Sequence, residues 1–183
     1  THRTQLEEIR LWANEALVLA VRGDVDGVIQ RAQDILDLSR NMSSGRFYLM
    51  APMAVIADAM LFLAFGAPAG SSAHRLGVNV ARRYDHMTRG ITIFAPRRLY
   101  YMGVAAVLQG HPTQAVQLWE QGLHSCAADD LRYDRARLHW MLSLYADEAT
   151  RAGHARDAAA HFDHCGVIGP VYPFMPVQRV DRL

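Results

Sequence analysis

Residues 99–119 read LYYMGVAAVLQGHPTQAVQLW: an apolar, helix-forming run closed by Gly110, then His111-Pro112, then a second run in which Ala115 is followed four residues later by Trp119. A glycine just past one helical run and a proline just inside the next are stop and start signals. Residues four apart share a helix face. The stretch therefore predicts two antiparallel helices that turn at Gly110. Working outward, Gly23, Gly66 and Gly153 close comparable runs, so the four glycines fall at intervals of 43, 44 and 43 residues. A fixed period of that size marks a helical-repeat array, in which each unit buries its apolar face on its neighbours.

The register holds within the units. Seven residues before each glycine stand Ala16, Ala59, Gly103 and Ala146, small side chains where two helices can cross closely. Eleven before stand Trp12, Val55, Leu99 and Leu142, large apolar knobs on the same face. After the glycines, Ala115 and Trp119 are matched by Ala158 and Phe162. The expected helices are 4–22 with 25–41, 48–65 with 71–88, 95–109 with 112–126, and 130–152 with 155–166. Asn41–Gly45, Arg89-Gly90 and Ala95-Pro96 supply the breaks between units, and Asp129 or Asp130 supplies an N-cap.

These residues resemble the tetratricopeptide unit, a W-x-x-L-G-x-x-Y helix, a glycine turn and an A-x-x-x-F helix. The third unit carries the resemblance best, through Leu99, Met102, Gly103, Ala106, Ala115 and Trp119. The first keeps Trp12 but has Glu15 at the family's Leu position, and the second has a lengthened turn after Gly66. The family unit is 34 residues, so these extended units resemble those in the carboxy-terminal arms of bacterial LuxR-type regulators of the maltose-activator kind, and of cyclase- or ATPase-linked signalling proteins. The resemblance implies an all-α superhelix, a tetratricopeptide-like solenoid of about four helix pairs. It spans 1–183 as one domain, with units at 4–41, 48–88, 95–126 and 130–166. The stretch 167–183, with Pro170, Pro173 and Pro176, reads as a tail or the start of a truncated fifth unit. The chain as a whole reads as a piece of something longer.

Composition narrows the chemistry. Nineteen basic and eighteen acidic residues nearly cancel, so no global field draws in nucleic acid or an anionic membrane. Every basic residue is Arg and none is Lys, which removes Schiff-base, pyridoxal-phosphate and Walker-type phosphate-loop chemistry from within this chain. Cys126 and Cys165 form no C-x-x-C or zinc spacing, and the first residues lack the layout of a signal peptide, so the expected setting is the reducing cytoplasm. Phe47–Phe65 mimics a membrane span, but Asp58, Pro52 and its register with the other helices argue for a buried repeat helix.

No catalytic constellation assembles. There is no G-x-S-x-G elbow and no H-E-x-x-H helix. Adjacent acids such as Asp147 and Glu148 read as capping and surface charge. His154, His161, His164 and Cys165 offer imidazole and thiolate, but they fall short of a tetrahedral zinc signature and are expected to hold no metal. Arg82-Arg83, Arg97-Arg98 and the run Arg132, Arg135, Arg137 are expected to pair with acids such as Asp85, Asp134 and Glu120 rather than grip phosphates.

Carrying the family's rule that the first helix of each pair lines the concave side, the inward set comprises Met53, Ile56, Met60, Arg97, Tyr100, Val104, Trp140 and Asp147. The same residues would serve equally as core, because periodicity alone does not separate an inward groove from a buried interior. The function expected is that of a non-catalytic interaction or regulatory arm of a larger bacterial signalling or transcription-regulatory protein, with no cofactor. Its partner would be a protein or peptide segment, including another part of the same protein or a second copy, with Tyr100 or Trp140 as anchor and Arg97 as orienting charge. The alternative is a small-molecule effector bound in the concave groove.

Overall fold

The computed structural model describes residues 2–40, 46–126 and 131–166. Over those residues the chain is all-α, with eight helices, one three-residue 3-10 turn and no strand. The expected break at Asn41–Gly45, the cap at Asp129 or Asp130 and the tail 167–183 lie outside the described residues. Internal contacts divide the chain into two compact units, one running to Met87 and the other starting at Thr88.

The first unit contains α1 (His2–Arg22), α2 (Val25–Arg40), α3 (Arg46–Gly66) and α4 (Ser72–Thr88). Its corner between α1 and α2 is set by two residues. Gly23 takes a left-handed φ of +75°, which side-chain-bearing residues reach only with strain. Asp24 then accepts the Gly27 amide on Oδ1 at 3.0 Å, capping the new helix. Across the pair, Arg31 of α2 donates through Nε to Glu15 of α1 at 2.7 Å and through a terminal nitrogen to its other oxygen at 3.2 Å. Glu15 is thus an inter-helix tie. The apolar helix α3 is interior: Met53, Ile56, Ala57, Ala59 and Met60 are fully buried. A stretch of it, Tyr48–Gly66, is long and apolar enough to cross a membrane, and most of it is buried within the protein. At Gly77 of α4 an added Cβ would lie 2.9 Å from the Ala64 methyl of α3, so these two helices touch almost backbone to backbone.

The second unit contains the 3-10 turn Thr92–Phe94, α5 (Ala95–Leu108), α6 (Pro112–Ser125), α7 (Arg132–Tyr145) and α8 (Glu148–His164). The α5–α6 corner is the one anticipated, with Gly110 left-handed at φ +81° and Pro112 in the first turn of α6. Ala115 and Trp119 are buried on one face of α6, as Ala158 and Phe162 are on α8. The small slot at Gly103 is where α5 meets α6. An added Cβ there would fall 2.2 Å from Trp119 Nε1, and that nitrogen donates to the Tyr100 carbonyl at 3.1 Å.

The last corner corrects the expected pattern. Helices at 130–152 and 155–166 do not form around Gly153; α7 stops at Tyr145, Ala146 and Asp147 are extended, and Gly153 lies inside α8. The physical reason is local. Asp147 occupies the N-cap position without a side-chain capping bond, and it and Glu148 place two acids at the start of the helix, where the macrodipole favours them. Arg151 also donates through Nε to the Ala146 carbonyl at 2.6 Å, closing the turn. Acidic residues at the helix start and the bond that closes the turn outweigh a lone glycine that a helix tolerates for about 1 kcal/mol. Gly66 ends α3 without a left-handed φ, and Gly70 supplies that conformation instead, which fits the lengthened turn.

Candidate functional site

The eight residues assigned to a groove differ in burial. Met53, Ile56, Met60, Tyr100 and Val104 are buried. Arg97 and Trp140 are half-buried, and Asp147 is exposed at the start of α8. Of the two readings open in the sequence, five residues therefore take the core reading.

Arg97 of α5 is engaged across the second unit. Its Nε donates to Asp134 Oδ1 of α7 at 2.8 Å and its terminal nitrogen to Oδ2 at 3.1 Å, a two-pronged pair. Burial alone would lower the guanidinium's pKa, but Asp134 and then Tyr101 hold it above its ordinary value. One turn further along α7, Arg137 is buried with its guanidinium 3.9 Å from the Tyr100 ring centroid and 5.4 Å from that of Tyr101. Tyr100 is thus the face on which an internal cation stacks. The arginines are expected from sequence to pair with acids such as Asp134 without partners being assigned, and Arg97 is the one that pairs with it.

The residues with most chemical potential gather where α7 crosses α8, and they differ from the cluster suggested by sequence. His139 of α7 faces His154, Asp157 and His161 of α8. His139 Nδ1 is 3.0 Å from His154 Nδ1 and 3.8 Å from Asp157 Oδ2. Its ring stacks on that of His161, with centroids 5.8 Å apart and planes 22° from parallel. Positions 154, 157 and 161 recur on one side of α8. Burial, only partly opposed by Asp157, pushes the His139 pKa down to about 4, and His161 is also lowered, by burial and then by Arg135. Both shifts favour the neutral imidazole, in which one ring nitrogen carries a lone pair that can accept a hydrogen bond or ligate. An open cavity of about 370 Å³ adjoins them, lined by Leu123, His124, Arg135, His139, Asp157 and His161. His164 and Cys165 are exposed and outside this set. His139 lies on another helix and joins the group only through the crossing, which no spacing in the sequence reveals.

The other notable feature is on α1. Leu11, Val18 and Val21 are 66%, 49% and 64% exposed, and their spacings of seven and three place them along one side of the helix. Exposed Glu7 and Asn14 lie on that same side, and exposed Arg22 lies beside its far end. Large apolar side chains aligned in this way mark an association surface more often than scattered ones do. Their spacing is visible in the sequence, but their exposure is not. Comparison with protein-family models, with curated proteins and with solved structures found no match to this chain.

Proposed function

We propose that this chain is a non-catalytic helical-repeat arm of a regulatory protein, working by pairing with a second copy of itself through α1. The observation that carries the reading is the exposed aliphatic strip of Leu11, Val18 and Val21. Two α1 helices crossing antiparallel set Leu11 against the partner's Val18 and Val18 against the partner's Leu11. The same register brings Glu7 at one end to Arg22 at the other, twice by symmetry, so charge complements the apolar contact. One helix face buries little area, which puts the pairing in the weak, transient class. The repeat residues around Gly110, with their resemblance to tetratricopeptide arms of bacterial regulators, support a superhelical arm as the setting. Sedimentation equilibrium tests the pairing. A concentration-dependent dimer is expected, abolished by Val18→Asp and Leu11→Asp without loss of helix content. A monomer at all concentrations, or a dimer indifferent to both substitutions, overturns it.

A second reading, effector binding, is favoured by the cavity beside His139, whose volume falls in the range of small-molecule sites. A compound selective for the native state raises the melting temperature. Protection of this kind that disappears with Leu123→Arg would support the second reading over the first.

A further inference from the structure

We infer that His139, His154 and Asp157 form a binding site for a borderline divalent transition ion of the zinc type, held between α7 and α8 with a coordination position left open toward the adjoining cavity. The ligand atoms of the three residues lie within 4.8 Å of one another. Two nitrogens bound to one zinc ion at about 2.0–2.1 Å in tetrahedral array stand about 3.3–3.4 Å apart. The observed 3.0 Å between His139 Nδ1 and His154 Nδ1 therefore needs only a small parting of the rings. Asp157 Oδ2, at 3.8 Å from His139 Nδ1, has to close by about half an ångström to ligate alongside them. Its side chain is 60% exposed and free to swing.

Two nitrogens this close need something between them. Without an ion, one imidazole must donate a proton to the other; an ion replaces that proton and engages both lone pairs. The donor set is two imidazoles and one carboxylate, which suits zinc and its neighbours and disfavours the hard ions magnesium and calcium. Three protein ligands with one vacancy is the pattern of exchangeable or ligand-accepting sites, since closed structural sites use four. The ring of His161, stacked on His139, fixes the orientation of the central ligand. Arg135, one turn before His139, is the charge that opposes a cation here; its guanidinium donates to the Cys126 carbonyl, and the Asp157 carboxylate counters it.

The test uses the full chain, stripped of metal by chelator, with zinc chloride titrated against a chromophoric competitor and cobalt(II) as the optical probe. One equivalent of zinc is expected to bind and raise the melting temperature, and cobalt is expected to give the intense visible bands of a low-coordinate site. Asp157→Ala, at an exposed position where folding is not at stake, should weaken zinc by at least about tenfold, since even outer-shell partners cost 10–100-fold. His139→Ala and His154→Ala should do the same or more, whereas His164→Ala should change nothing. Failure of the wild-type chain to take up one equivalent, or uptake that survives Asp157→Ala and His154→Ala, overturns the site.

Discussion

Gly103 and Trp119 show how much a single hydrogen atom decides. The indole occupies the place a methyl group would need, 2.2 Å from the ideal Cβ position, and it is held there by its bond to the Tyr100 carbonyl. Gly103→Ala forces a buried ring to move, an overpacking penalty of about 2–3 kcal/mol, to be read as a lowered urea midpoint. Gly122→Ala meets the branched end of Leu138 at 2.8 Å, which yields more easily, so a smaller loss is expected. Arg97→Ala would strand the Asp134 carboxylate, whose side chain is 7% exposed. Because Arg97 itself is partly in water, the cost is expected near the lower end for such pairs, about 2–3 kcal/mol. Arg97→Met with Asp134→Leu should recover most of it, as a double-mutant cycle would reveal. At this scale the sequence is informative: the small slot at position 103 and the Ala115–Trp119 face can both be read from it, while it offers Asp134 as a partner for the arginines without saying that Arg97 is the one. It does not show that Tyr100 faces inward beneath Arg137, since a helix period marks a face without saying what covers it.

At the scale of the helices, the period of the glycines is legible and its last beat misleads. Gly110 and Gly153 look alike in sequence, but one is a left-handed corner and the other a helix interior. Alanine distinguishes them. Gly153→Ala, with nothing within 4 Å of the new methyl, should stabilise the protein by about 1 kcal/mol, whereas Gly110→Ala should destabilise it by about 1–2 kcal/mol. Chemical denaturation of the two variants measures opposite signs if the corner at Asp147 is right. The crossing of α7 and α8 also sets a pH response in metal-free protein. The His139 pKa is about 4 in the folded chain against about 6.5 when unfolded, so the unfolded state binds the extra proton between those values. The contribution of His139 to stability is then full above about pH 6.5 and declines as pH falls toward 4, with up to about 3 kcal/mol at stake from this group. The charged and titratable groups around His139 are Asp157, His154, His161 and Arg135, with His124 of α6 lining the same cavity. His139→Gln should flatten the dependence of the denaturation midpoint between about pH 7 and about pH 4.

Across the whole molecule, the near balance of basic and acidic residues and the helical class are plain. What the chain binds is not, because five groove candidates are core and the exposed strip on α1 obeys the same spacing rules as a buried one. If α1 pairs with its copy, raising ionic strength should weaken the dimer only slightly, through screening of Glu7 and Arg22, while Val18→Asp should remove it. The two cysteines, finally, differ in a way that is experimentally useful. Cys126 is sealed at 2% exposure and burial raises its thiol pKa, whereas Cys165 is exposed at the end of α8. A maleimide fluorophore added to native protein at neutral pH should therefore attach at Cys165 alone, as peptide mass mapping would verify. The unmodified chain thus accepts an optical reporter one turn from His161, well placed to follow ion uptake in real time.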